Sequence, residues 1–413
     1  MPSKKEFYAS PVLFRWLLPV LVLFFSSFIQ SQFAWAQRPV YHIDVVLDTA
    51  AKTLSGKLII AYTNPASYPL DSLAIHLWAN AYQDKQSAFA RQLLNLGNLF
   101  FNAAKPGQMG GYSGLNFTST EQQLDFRFDA GGHDIGWIIL SNPLPPGQTI
   151  HITTPFNLKI PISFSRMGRT GDSYQFTQWY PHLAVLDEEG WHTMPYLDQG
   201  EFFNDFADYH VTVNVPAGYV VAATGMIRDK ENADDRAIWN FTAENVIDFA
   251  WFANPHFRVE EKKIELAQGK SFLLSVYIDT LHAGQWDQAL SFSERALNFY
   301  SDWLGPYPYP HMSVVSAPFS KGGFMEYPML AQIGATFSST YLDIVITHEI
   351  GHTWLYGILA DNERATPWMD EGLNTFFERK YTRTHYPAYD ESVAPDFLRT
   401  SKSMPDDEAL QHF

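Results

Sequence analysis

The 413-residue chain contains no cysteine. Disulfides, thiolate metal sites and cysteine nucleophiles are thereby excluded, and any metal chemistry falls to His, Asp and Glu. Basic residues are scarce: 28 Lys and Arg stand against 44 Asp and Glu, a formal charge of −16. With no Lys/Arg-rich run to make a local exception, this balance argues against nucleic acid as a partner. Past the N-terminus there is also no stretch long and apolar enough to span a bilayer. Apolar and aromatic residues are plentiful, at 46% and 16% of the chain. That is ample material for a core, and the length predicts two domains.

The N-terminus has the order of a secretory signal peptide. Lys4 and Lys5 come first, then Trp16–Phe25 with nine apolar residues interrupted only by Pro19, then Ala34-Trp35-Ala36 as a small-x-small cleavage site. We expect residues 1–36 to be removed before Gln37 and the protein to be exported, to the periplasm or the medium, with no membrane span left after cleavage. An uncleaved N-terminal anchor is the alternative. Loss of the segment's net +2 leaves a mature chain near −18.

From Val40 to about Tyr277 the pattern is one of short alternating or β-branched runs parted by turn residues, as in Tyr41–Leu47, Leu58–Thr63, Leu73–Trp78, Thr149–Thr154, Tyr209–Val215 and Tyr219–Thr224. This predicts a mainly antiparallel β domain over 37–278, with the Gly-rich stretch Asn102–Gly114 as a long surface loop. Past residue 280 the period becomes helical: Trp286, Leu290, Ala296, Leu297 and Tyr300 form a stripe closed by Gly305-Pro306. A second, helical domain over 279–413 is expected, with His311–Ala317 as a strand and Lys321-Gly322-Gly323 as a turn inside it.

His348-Glu349-Ile350-Gly351-His352 lies in a run whose apolar residues have helical spacing. Positions i and i+4 of a helix are about 6 Å apart along the axis, so both imidazoles can converge on one ion. Glu349, turned by roughly 100°, can reach the ion's open face and act as general base toward water. A catalytic zinc takes a third protein ligand, and Glu371, nineteen positions after His352, is the candidate. Thr366 is expected as N-cap and Pro367 as first residue of the helix that aims Glu371 back at the histidines. With fourteen histidines in the chain, a chance His-Glu-x-x-His is expected on the order of a few times per hundred such chains. The glutamate at a fixed offset cuts that about twentyfold.

The set His348-Glu349-x-x-His352, eighteen residues, then Glu371 resembles the signature of the M1 family of zinc aminopeptidases, which also includes leukotriene A4 hydrolase. Gly323-Phe324-Met325-Glu326-Tyr327 is similar to that family's Gly-x-Met-Glu-Asn exopeptidase motif, and Thr366–Gly372 resembles the stretch around its glutamate ligand. The resemblance implies an α+β fold, an N-terminal antiparallel β domain followed by a thermolysin-like, mainly helical catalytic domain. It implies one Zn2+ per chain held by His348, His352 and Glu371, Glu349 as base, and Glu326 as the group that holds a substrate's free α-amine. Gly322 and Gly323 would let the backbone approach an extended peptide, and Gln178 matches a position that helps bind the amino end. Peptides with a free N-terminus are the substrates so implied.

Two positions depart from the pattern: Tyr327 stands where the motif ends in asparagine, and Tyr180 where relatives carry an acidic or amide group. The family's oxyanion-stabilising tyrosine lies well past the glutamate ligand, whereas only 42 residues follow Glu371, so it is expected beyond Phe413 and the catalytic domain is expected to be incomplete. Tyr381 is too near the ligand for that role. The same zinc set also suits an endopeptidase or epoxide hydrolase, or a zinc-containing binding module without catalysis.

Overall fold

The computed structural model describes residues 37–389 except 121, 267–268, 282–285, 318–322 and 337. The expected signal peptide and Gly322 lie outside the described residues.

Alternation builds the first layer. In Val40–Asp48 the buried residues are Tyr41, Ile43, Val45 and Leu47, while His42, Asp44, Val46 and Asp48 face outward. Ala207–Pro216 buries Tyr209, Val211, Val213 and Val215 with the same period. These two strands pair with Ile43 opposite Val211, inside a nine-stranded sheet whose backbone order is Met226–Ala233, Arg236–Val246, Ala207–Pro216, Val40–Asp48, Thr53–Thr63 and Thr149–Lys159, then two short strands. The other ladders of this sheet are antiparallel as expected, but Val40–Asp48 and Ala207–Pro216 run parallel, because the chain returns to this strand after a long excursion rather than through a hairpin. Asn102–Gly114, expected as a surface loop, is partly built into the sheet: Gly111–Ser113 pairs with the end of Thr149–Lys159. A Cβ at Gly110 would meet the Lys159 carbonyl at 2.2 Å, so only glycine allows this approach. A short helix α1, Ala88–Asn95, starts at Ser87, whose Oγ accepts from Ala90 N at 3.1 Å.

A five-stranded sheet follows, ordered Phe257–Glu265, Ser271–Asp279, His311–Ser316, Leu330–Ile333 and Phe324–Tyr327. Its hydrogen bonds join strands on both sides of residue 279, across the change of period. Phe324–Tyr327 is an edge strand, antiparallel to Leu330–Ile333, with Glu326 opposite Ala331.

Two helices pack beside it, α2 (Ala289–Leu304) and α3 (Ser339–His352), and a third, α4 (Leu373–His385), packs against α3. Ser338 caps α3, its Oγ accepting from Tyr341 N at 3.1 Å. α3 is buried on almost every side, as a central helix must be when it is apolar all round. At Gly351 the three helices meet so closely that a Cβ would lie 2.1 Å from Asn374 Oδ1 and 2.3 Å from Tyr300 OH. Asp343, fully buried on α3, accepts from the hydroxyls of Tyr381 at 2.9 Å and Tyr386 at 2.8 Å, and pairs with Arg295 of α2. That carboxylate ties α2, α3 and α4 together.

Candidate metal centre

The second histidine is the last residue of α3, and the chain continues without a break into a wider π-turn, Thr353–Gly357. A second π-turn, Trp368–Gly372, carries Glu371 and leads into α4. Such turns are rare and concentrate at functional sites. Pro367 is the first helical residue, as expected, but Thr366 does not cap the helix with its side chain: its hydroxyl turns back and donates to the Asn362 carbonyl at 3.1 Å.

These elements bring His348, His352 and Glu371 together, with their ligand atoms within 4.8 Å of one another. The Nε2 atoms of the two imidazoles are 3.1 Å apart, and Glu371 Oε2 lies 3.4 Å from His348 Nε2. Each ring is oriented from behind. His348 Nδ1 is 2.9 Å from Glu378 Oε2, and His352 Nδ1 is hydrogen-bonded to Asp370. Burial lowers both imidazoles but is outweighed: Glu371 and then Glu378 raise His348, and Asp370 and then Glu371 raise His352, to about 9. Glu371 is instead held down at about 2, where the hydrogen bond from His348 and the charges of both histidines outweigh burial. Asn374 completes the frame: its Nδ2 donates to the His348 carbonyl at 2.8 Å, while its Oδ1 accepts from Tyr300 OH at 3.1 Å.

Glu349 is buried beside this centre, and Oε2 of its carboxylate has no hydrogen-bond partner among the described residues. Burial pushes its carboxyl up to about 7. Glu326 reaches in from the edge strand, and its ligand atoms and those of Glu349 and His352 lie within 4.8 Å of one another. Burial, then the nearby carboxylate of Glu201, holds Glu326 well above the usual range. Gly323 immediately precedes that strand. Gln178 lies in a bend, with a left-handed φ of +48°, and lines the same recess as Glu326. Sequence reasoning missed Asp370, Glu378, Asn374 and Glu201. For Glu378 a signal existed, since it lies seven residues, close to two helical turns, after Glu371; Asp370 adjoins Glu371 in the chain, and neither Asn374 nor Glu201 carried one. Tyr381, judged too near the ligand for the oxyanion role, is bound to Asp343 and Arg295.

No protein-family model matches the chain. Over 123 residues it is 28% identical to the thyrotropin-releasing hormone-degrading ectoenzyme of Mus musculus, taking in 27% of this chain and 12% of that protein. Leukotriene A-4 hydrolase of Xenopus laevis is 30% identical over 92 residues, 21% of this chain and 15% of the relative. The matched stretches are thus a small part of these curated relatives. In fold, an M1 zinc metallopeptidase from Deinococcus radiodurans aligns with a TM-score of 0.59 at 19% identity, over 90% of this chain and 75% of that one. A mutant of such an enzyme from the same organism, bound to a Tyr-Ser-Ala substrate, aligns with a TM-score of 0.58 at 18% identity, over 90% of this chain and 75% of that one. In fold along most of its length, and in sequence over the stretches matched, this chain resembles the M1 zinc metallopeptidases.

Proposed function

We propose that the chain is a zinc-dependent aminopeptidase that hydrolyses the N-terminal peptide bond of oligopeptides. The observation that carries this reading is the convergence of His348, His352 and Glu371 beside two further carboxylates, Glu349 and Glu326. The donor set suits zinc: two imidazoles turn Nε2 inward while a carboxylate holds each Nδ1, the arrangement by which proteins orient metal-ligating histidines. His348, His352 and Glu371 would hold one ion. Bound there, zinc supplies Lewis acidity, acidifying water and polarising a carbonyl.

The chain's own groups do the rest. Glu349, with its carboxyl near 7 and one oxygen unpartnered, takes a proton from the attacking water and returns it to the leaving amine. Glu326 accepts hydrogen bonds from the substrate's α-ammonium, which confines cleavage to the first peptide bond. Gln178 offers a further acceptor there. The edge strand Phe324–Tyr327, entered through Gly323, presents backbone to which an extended peptide can add as another strand.

The reading extends to the architecture: an N-terminal β domain, a thermolysin-like catalytic domain that holds the zinc-site helices together with the five-stranded sheet, whose bonds across residue 279 set aside the boundary expected at 278, and an N-terminal segment, 1–36, that directs export. Support comes from the change to helical period after residue 280 and from the basic, apolar and small-residue order of the N-terminus.

The test is release of a fluorogenic amine from a panel of aminoacyl amides by wild type, Glu349→Gln and chelator-treated protein, with zinc quantified in each. Activity lost in both controls, with zinc retained by Glu349→Gln, is the expected result. Stoichiometric zinc without turnover would sink the peptidase reading, and absence of zinc would sink the site.

A further inference from the structure

Beside Glu326 lies a cavity of about 10 Å³, room for about one water, lined in part by Gln178, Glu201, Asp248, Met325 and Tyr356. Gln178 is only 4% exposed. Its Nε2 donates to Asp248 Oδ2 at 3.1 Å, and its Oε1 has no partner among the described residues. A buried amide oxygen left in this state calls for a donor from a ligand.

Glu201 enters the cavity from a different part of the chain and is held firmly there. Arg166 donates to both of its carboxylate oxygens, at 2.5 and 2.6 Å, and its own backbone N–H donates to Glu363 Oε2 at 2.6 Å. The next residue is fixed as well, since Tyr356 OH donates to the Phe202 carbonyl at 2.8 Å. Each oxygen of Glu201 keeps a second acceptor site. Arg166 offsets part of its charge, and the cavity gathers acceptors that a cationic group would satisfy. Tyr180, by contrast, faces away: its hydroxyl lies 2.9 Å from both Asp248 Oδ1 and Tyr209 OH, and the residue is 1% exposed.

We propose that Glu201 is a substrate-binding residue that, with Glu326 and Gln178 Oε1, completes a three-acceptor pocket for the ammonium of the substrate's first residue. The proposal rests on the aminopeptidase reading. Size and chemistry select the ligand group. An ammonium carries three donors, matching three acceptors, and has about the bulk of one water, whereas a cavity at the lower limit for a water excludes a side chain.

The experiment is calorimetric titration of the zinc-loaded protein with L-leucinamide and with N-acetyl-L-leucinamide, for wild type and Glu201→Gln, alongside kcat and KM on a leucine anilide. Loss of one charge-assisted acceptor is expected to weaken leucinamide binding about tenfold or more. KM should rise more than kcat falls, and the acetylated ligand should bind the two proteins alike. Unchanged leucinamide affinity overturns the proposal. If Glu201→Gln does not fold, because Arg166 is left buried without its counter-charge, the double variant Arg166→Met, Glu201→Gln removes both charges and carries the same comparison, with wild-type affinity again overturning the proposal. Binding separates the two readings. Glu201-dependent leucinamide binding without turnover by wild type would sink the peptidase reading and leave the pocket standing; turnover with equal binding by both proteins would sink only the role of Glu201.

Discussion

Glu371 and Glu378 stand at opposite nitrogens of one imidazole: Glu371 Oε2 is 3.4 Å from Nε2 of His348, and Glu378 Oε2 is 2.9 Å from its Nδ1. One carboxylate faces the centre while the other sets the ring's tautomer and direction from behind. Removing an orienting carboxylate typically costs ten- to a hundredfold in metal affinity. Glu378→Ala should therefore bind zinc about ten- to a hundredfold more weakly while all three ligands remain. Competition with a chromophoric chelator measures this, and wild-type affinity in the variant would show that Glu378 has no such role.

Gly351 allows no added atom. A methyl group there would meet Asn374 and Tyr300 at little over 2 Å, so Gly351→Ala must part α3 from α2 and α4. Overpacking of this kind costs about 1–3 kcal/mol. A lower Tm should come with weaker zinc binding, because Asn374 also bonds the His348 carbonyl. An unchanged Tm would mean that the helices shift apart freely.

Tyr381 gives the opposite kind of prediction. Its hydroxyl serves Asp343, Arg295 and the joining of three helices. Tyr381→Phe should cost about 1–3 kcal/mol in urea unfolding, since the partner carboxylate is buried. It should leave kcat for aminoacyl amides within a small factor of wild type. A large fall in kcat with zinc retained would place this tyrosine in the chemistry.

Asp248 supplies a pH dependence. Burial pushes its carboxyl up to about 6, against the lowering effect of hydrogen bonds from Phe249 N–H, Tyr180 and Gln178, whereas its ordinary value is 3.8. The folded protein thus keeps this proton to a higher pH than the unfolded chain does. Between about pH 4 and pH 6 this group's contribution to stability falls as pH rises, and it is level above that window. In urea unfolding, the stability of wild type minus that of Asp248→Asn should decline across the window. A difference that stays flat would contradict the assignment.

The convergence of His348, His352 and Glu371 was legible because the spacing that brings them together is confined to one helix and a short return to the next, so they are neighbours in pattern as well as in space. Strand alternation in Val40–Asp48 and Ala207–Pro216 was readable for the same local reason. What could not be read depends on contacts between distant segments. Glu201 reaches the cavity through Arg166 and Glu363, far from it in the chain, and nothing around it in sequence marks it. The sheet that carries Glu326 crosses residue 279 because periodicity reports which face of a segment is buried, not which strand it bonds. Thr366 has the residue type of a cap, yet a nearer carbonyl claims its hydroxyl.

Among the described residues the centre is unevenly enclosed. The side chain of His352 is 1% exposed and that of Glu371 52%. An ion arriving or departing would therefore pass on the Glu371 side, with the histidines as a fixed wall and the carboxylate as the one ligand free to swing. Metal exchange is then governed by that swing, and a bound peptide, lying over the same opening, would slow it.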